Sequence, residues 1–306
     1  MLRRWAPTGG RARGRPGWTR DRDFPVLRNL SYVLFVTTAA VLLAATVGLL
    51  AKEVSDGLSG GRAIRLVAFD AVMPEGASKA RVVFALQDAD HDTPLLSPYL
   101  FAMFPDGRTE LAWTSAKGLG ASDHAGRFSP GATSYEVHFG DTDLRMEVCA
   151  RGTVWVEPPG AAAVWVDAGA LVREAPAADV AGATRFATAR EAAEVLKGLA
   201  ESRRIVYLVA RLPRDYAAVR HQLVAAGYPS GPALWIPPGQ EASVLQSVRH
   251  TWRQVAAALV CTPALAQATK QLKIRTLGVP PAQAAPGEEA GPPHAWYEAA
   301  EALASK

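Results

Sequence analysis

The chain has 306 residues, 49 % apolar and 20 % charged, so it is too long for one small domain and too apolar to be disordered. Its net charge of +4 is confined to one end: residues 1–29 hold eight arginines against Asp21 and Asp23, and the remainder carries 25 basic and 27 acidic side chains. That distribution excludes a general nucleic-acid surface.

The basic tail (1–29) has the Gly, Pro and Arg content of a topology signal that also attracts anionic lipid. Residues 30–51, LSYVLFVTTAAVLLAATVGLLA, are 22 positions without a charge. As a helix they would span about 33 Å, the thickness of a bilayer core. The sequence therefore predicts a single transmembrane helix between Arg28 and Lys52. The arginine excess places the tail in the cytoplasm and the chain from 52 onward outside, on an inner, cytoplasmic membrane. A cleaved signal peptide is disfavoured, because its apolar core would be shorter and be followed by a small-residue cleavage site.

After a linker (52–61), residues 62–157 read as seven short apolar runs broken by turn signals: AIRLVAF, ARVVFAL, YLFAMF, ELAWTS, SYEVHF, LRMEV and TVWV. No helical periodicity separates them, which predicts an all-β sandwich. In SYEVHF, Tyr135, Val137 and Phe139 share one face, as in a strand with one wet side. Pro158-Pro159-Gly160 then breaks the pattern.

From 161 to 306, strand and helix signals alternate. AAAVWVD, RRIVYLVA, PALWI, VAAALVC and IRTLGV read as strands. The segments beginning FATAREAAEV, PRDYAAVRHQ, EASVLQSVRH, PALAQATKQL and HAWYEAAEAL read as helices, and in the second of these Tyr216, Val219, Leu223 and Val224 form a packing face. The fold class expected is thus multi-domain: a transmembrane helix, a β-sandwich, and an α/β doubly wound parallel sheet. Ligands of such sheets bind beyond the carboxyl ends of the strands, so the chemistry is sought there.

Two resemblances follow from these residues. ASDHAGRFSPG (121–131) resembles the turn of bacterial immunoglobulin-like domains, with Asp123 and Gly126 at the tight corner, which implies a spacer or adhesion module. RRIVYLVARLPRDYAAVRHQLVAAGYPSGPALWI is similar to the second-strand region of haloacid-dehalogenase-like phosphatases. That resemblance implies a site built from an Asp-x-Asp pair, a Ser or Thr, a Lys and an acidic Mg²⁺ site. One carboxylate would attack phosphorus while its neighbour protonates the leaving oxygen.

Here Asp167 can stand at the nucleophile position, but Gly169 occupies the acid/base position, Val209 the hydroxyl position, and Cys261-Thr262-Pro263 the metal position. GQEASVLQSVRH (239–250) has no Lys. Loss of one such element costs a factor of about 10² or more. The expectation is a pseudoenzyme, with Asp167 vestigial and free to cap a turn or helix.

Elsewhere, the six histidines show no zinc spacing, DADHD (88–92) lacks the spacing of a calcium loop, and no phosphate-binding glycine loop or nucleophile elbow occurs. No metal and no cofactor are expected. His124 beside Asp123 reads as a turn residue. Cys149 and Cys261 would form an interdomain disulfide in an oxidising compartment, or else be two buried thiols.

Trp113, Trp155, Trp165, Trp235 and Trp252 read as core. Trp5 and Trp18, with Arg3, Arg4, Arg11, Arg13, Arg15 and Arg28, read as a surface for a partner or for lipid headgroups. The function expected is a non-catalytic, membrane-anchored structural subunit. It would brace a larger complex of integral membrane proteins, photosynthetic or respiratory. The alternatives are a phosphatase with an altered site and a sensor of a phosphorylated ligand.

Overall fold

The computed structural model describes residues 63–97, 100–126, 128–141, 146–174, 186–188, 190–252, 254–282 and 295–304. The first eight strands are β1 (Ile64–Ala68), β2 (Ala71–Pro74), β3 (Lys79–Asp88), β4 (Leu100–Met103), β5 (Thr109–Ala112), β6 (Leu119–Ala125), β7 (Gly131–Asp141) and β8 (Met146–Glu157). They form two sheets, β1-β3-β6 and β2-β8-β7-β4-β5. All pairings are antiparallel except β2 with β8.

The two sheets make a β-sandwich, and alternation explains why. Ala80, Val82 and Phe84 of β3 and Tyr135, Val137 and Phe139 of β7 are all buried. The Tyr135 hydroxyl crosses between the sheets to donate to the Phe69 carbonyl at 2.5 Å.

The MEV of LRMEV and the run TVWV prove to belong to one long strand, β8. β6 covers LGASDHA, so Asp123 lies within a strand opposite Arg81 and is not at a turn corner; only Gly126 follows the strand's end. Its Gly, Ser, Asp and His content reads as loop, but every second residue (Gly120, Ser122, His124) points inward. His124, expected in a turn, is 1 % exposed and stacks on Phe104 at 3.8 Å.

The second half begins with β9 (Ala162–Asp167), a 3-10 turn at Ala168–Ala170, and the hairpin β10 (Val172–Glu174) and β11 (Phe186–Thr188). Then come α1 (Arg190–Ala200), β12 (Arg204–Val209), α2 (Pro213–Ala225), β13 (Ala233–Trp235), α3 (Glu241–Val248), β14 (Gln254–Val260), α4 (Pro263–Gln271), β15 (Thr276–Gly278) and α5 (Ala295–Ala304). The strand order is β13-β12-β9-β14-β15, every pair parallel. Its strands are apolar on both sides because both sides are covered. Val164, Val166 and Ile205 meet α1, α2 and α5 on one side, while Trp165, Val206 and Leu208 meet α3 and α4 on the other.

The expected fold class opened on a transmembrane helix, and the structure corrects it: no helix of the described residues is long and apolar enough to cross a membrane. The longest, α2, has 13 residues, about 20 Å of helix against a bilayer core of about 30 Å. Residues 30–51 and the tail before them lie outside the described residues. What is described is chiefly sheet, and Gly57–Lys306 forms one compact unit. Val67, Phe69 and Ala85 of the sandwich belong to the same core as Val166, Tyr207 and Ala233 of the parallel sheet.

Two further expectations fail locally. Val224 lies on the outer side of α2, 75 % exposed, because the face of Tyr216, Val219 and Leu223 already meets the sheet. Trp113 follows the edge strand β5 and is 70 % exposed.

Candidate functional site

In the parallel sheet, the chain steps from β9 outward to β12 and β13, then returns to the other side of β9 as β14. The connections after β9 and β14 diverge at this reversal, which is where sheets of this kind open a ligand crevice. Asp167 ends β9, and Cys261 and Thr262 follow β14, so these residues stand at the crevice.

The crevice is closed by Asp167 itself. Its Oδ1 accepts from the Gly169 N–H at 2.9 Å. Its Oδ2 accepts from the N–H groups of Cys261 (3.2 Å) and Thr262 (2.8 Å), from the Thr262 hydroxyl (2.5 Å) and from the Cys261 thiol (3.2 Å). Five donors thus converge on a group with about four lone-pair positions, and Asp167 is 1 % exposed.

Thr262 is the N-cap residue of α4. A helix N-terminus is a ready anion site, and here the chain's own carboxylate fills it. A Cβ at position 169 would lie 3.1 Å from Asp167 Oδ1 and 3.3 Å from Cys261 Sγ, so Gly169 lets the turn fold over the carboxylate.

Gly169 and Thr262, singled out separately in the sequence, thus both hydrogen-bond Asp167. Val209 ends β12 beside them, fully buried in the apolar core. Burial, with the Asp167 charge second, pushes the Cys261 thiol up to about 12, so it stays protonated and donates to Asp167.

Of the two alternatives, disulfide or two buried thiols, the cysteines are free thiols, but Cys149 is exposed and Cys261 only half-buried. Cys149 is exposed on the outward face of the sandwich, and its Sγ lies 3.9 Å from His138 Nε2. Cys261 faces Asp167 in the other half of the unit. Trp5, Trp18 and the arginines at 3, 4, 11, 13, 15 and 28 lie outside the described residues.

A second polar centre, which linear reading missed, lies between the sandwich and the parallel sheet. Asp70 follows β1, and its Oδ1 accepts from the Thr153 N–H at 3.1 Å. Its Oδ2 accepts from Trp155 Nε1 (3.2 Å) and the Ala233 N–H (3.1 Å). Arg220 approaches at 3.3 Å and also donates to the Thr153 hydroxyl. Burial raises the Asp70 carboxyl above its ordinary value, opposed first by Arg220 and then by these donors.

A cleft of about 230 Å³ opens beside this network, floored by Asp70, Tyr207, Arg220 and Tyr228. An apolar cleft of about 530 Å³ lies along Phe69, Val72, Trp235, Val244 and Val248. Asp167 lines neither.

The third cluster is on the outward face of the five-stranded sheet. β7 and β8 place His138 opposite Cys149 and Glu136 opposite Arg151. His138 Nε2 is 3.2 Å from Glu136 Oε2, and its Nδ1 is 3.2 Å from Glu147 Oε1. Arg151, then His138, holds the Glu136 carboxyl below the usual range through hydrogen bonds. The linear signal is faint: Glu-x-His in one strand and a single Cys in the next, joined only by the register.

No family model matches the sequence, and no curated protein matches it. Among solved structures, the chain is similar over 36 % of its length to the N-terminal Ig1-2 module of the Drosophila receptor protein tyrosine phosphatase DLAR, at 11 % identity and a TM-score of 0.23. It spans 62 % of that module. A PKD domain of an M14-like peptidase from the Thermoplasmatales archaeon SCGC AB-540-F20 matches 31 % of this chain and 92 % of its own length, at 14 % identity and a TM-score of 0.22. A sialyltransferase from Photobacterium damsela matches 62 % of this chain and 35 % of its own, at 11 % identity and a TM-score of 0.18.

Proposed function

We propose that the chain is a non-catalytic accessory subunit that braces a larger membrane protein complex, with an immunoglobulin-like sandwich as its spacer. The observation that carries this reading is the state of Asp167. A nucleophilic carboxylate must present a free lone pair to phosphorus, whereas five donors occupy this one in a buried site. The same arrangement disfavours a sensor of phosphorylated ligands, because the helix N-terminus that would receive the phosphate already holds a carboxylate.

Support for a partner comes from the edge strand β5, where Leu111 is 77 % exposed, with Trp113 just beyond it. Large exposed apolar side chains beside one another, tryptophan above all, are the anchors interfaces use. The partner is sought among integral membrane proteins because of the apolar stretch 30–51 and its arginine-rich flank. On the same grounds the residues beyond 52 work on the extracytoplasmic side and the tail meets the inner leaflet.

The test is extraction of the full chain from native membranes in mild detergent, followed by mass spectrometry and native mass determination. Stoichiometric recovery of integral membrane subunits, reduced at least tenfold in a Leu111→Ser/Trp113→Ser variant, is the expected result. Recovery as a lone monomer overturns the reading. So does Mg²⁺-dependent phosphatase activity that disappears in Asp167→Asn.

A further inference from the structure

We propose that the outward face of the sandwich binds one divalent transition-metal ion, of the zinc type, through Glu136 Oε2, His138 Nε2 and Cys149 Sγ. One ligand atom from each of the three residues lies within 4.8 Å of the other two. In a tetrahedral zinc site, bond lengths of about 2.0 Å to nitrogen and oxygen and about 2.3 Å to sulfur put neighbouring donors about 3.3 Å (N to O) and about 3.5 Å (S to N) apart. The corresponding separations here are 3.2 Å and 3.9 Å. Cys149 is exposed and Glu136 and His138 are half-buried, so rotation of the thiol toward the other two donors would seat the ion.

The second observation is that the donors are held from behind. A metal-binding imidazole usually gives its other N–H to a carboxylate, which fixes the tautomer and turns the free lone pair toward the metal. His138 Nδ1 has that partner in Glu147 Oε1 at 3.2 Å, and the ring lies parallel to Phe101, with centroids 5.3 Å apart. Arg151 Nε, 2.6 Å away, ties the other carboxylate oxygen of Glu136, leaving Oε2 for the ion.

The charges also balance. A carboxylate, a neutral imidazole and a thiolate neutralise a divalent ion, and the Cys149 proton leaves to solvent on binding. Glu147 and Arg151 offset each other. The mixed S, N and O set suits zinc or cobalt and disfavours magnesium and calcium, which take oxygen ligands. The fourth position faces outward, open to water or to a partner's donor. The inference stands apart from the question of catalysis at Asp167.

The experiment titrates Co²⁺, then Zn²⁺, into the full chain after chelator treatment. One equivalent of Co²⁺ is expected to give a thiolate-to-cobalt charge-transfer band, displaced by Zn²⁺. Cys149→Ser and His138→Gln should remove the band, and Glu147→Gln should keep it while weakening Zn²⁺ binding by about 10- to 100-fold. Absence of the band in the native chain overturns the proposal, as does a Zn²⁺ affinity unchanged by Cys149→Ser. Alkylation of Cys149 in the unmodified chain gives a check that needs no variant: stoichiometric Zn²⁺ should slow it at least tenfold, and no protection overturns the site.

Discussion

The carboxylate of Asp70 accepts a hydrogen bond from the backbone N–H of Ala233, 163 positions further along the chain, at 3.1 Å. The same carboxylate holds Thr153 and Trp155 of β8, so one side chain ties the sandwich to the parallel sheet. Asp70→Ala would leave three buried donors without an acceptor, at about 1–3 kcal/mol for each group left unpaired. Equilibrium unfolding in urea is expected to show a loss of about 3–5 kcal/mol. A loss under about 1 kcal/mol would mean that water replaces the carboxylate.

Asp92 predicts an acid dependence. It sits at the tip beyond β3 with φ of 53°, and Arg65 and Arg214 both bond its carboxylate. Desolvation pushes its pKa up, but the hydrogen bonds and charges of Arg214 and Arg65 prevail and hold it below 3.8. A depressed carboxyl contributes stability above its unfolded pKa and loses it as pH falls through the folded value. Stability should therefore decline below about pH 4, and Asp92→Asn should be less stable at neutral pH and flatter in acid. Parallel stability curves for the two proteins below pH 4 would refute this.

The two thiols should separate kinetically. At pH 8, and without added metal, a disulfide-exchange reagent is expected to modify one thiol per native chain, Cys149, which is exposed. Cys261, pushed up to about 12 and bonded to Asp167, should react only on unfolding. Two fast thiols in the folded chain would show that the crevice at Asp167 opens.

Two glycines should respond with opposite signs. A Cβ at Gly231 would stand 2.0 Å from the Ile205 carbonyl oxygen, so Gly231→Ala must displace backbone, at about 1–3 kcal/mol. Gly198, inside α1, has open space around it, and Gly198→Ala should stabilise by about 0.5–1 kcal/mol. Thermal melts of the two variants decide both.

What could be read from sequence was what depends on local pattern. Tyr135, Val137 and Phe139 share a buried face because a strand alternates, and Tyr216, Val219 and Leu223 share one because a helix repeats every 3.6 residues. β6 is not legible as a strand because its inward positions are Gly, Ser and His: the Phe84 ring leaves no room for a Cβ at Gly120, and His124 stacks on Phe104.

The site was legible only in outline. Asp167 was placed at a strand end, but that Cys261 and Thr262 would satisfy it depends on β14 lying beside β9, a non-local pairing. Asp70 and the Glu136–His138–Cys149 cluster were invisible for the same reason. Their partners are set by register and packing, and no spacing along the chain encodes them.

The shared core has a consequence for how the chain is made. Phe69 stacks on Trp235 at 4.2 Å and meets Tyr216 edge-on at 4.9 Å. At about 5–20 residues per second, ribosomal synthesis leaves an interval of roughly 10–30 s between the emergence of Phe69 and that of Trp235. During that interval the sandwich carries an apolar flank with nothing to cover it. A nascent chain stalled before residue 233 should bind a holdase chaperone and lose it once synthesis passes α3, so the seam that joins the two halves of the finished unit is also its point of exposure during birth.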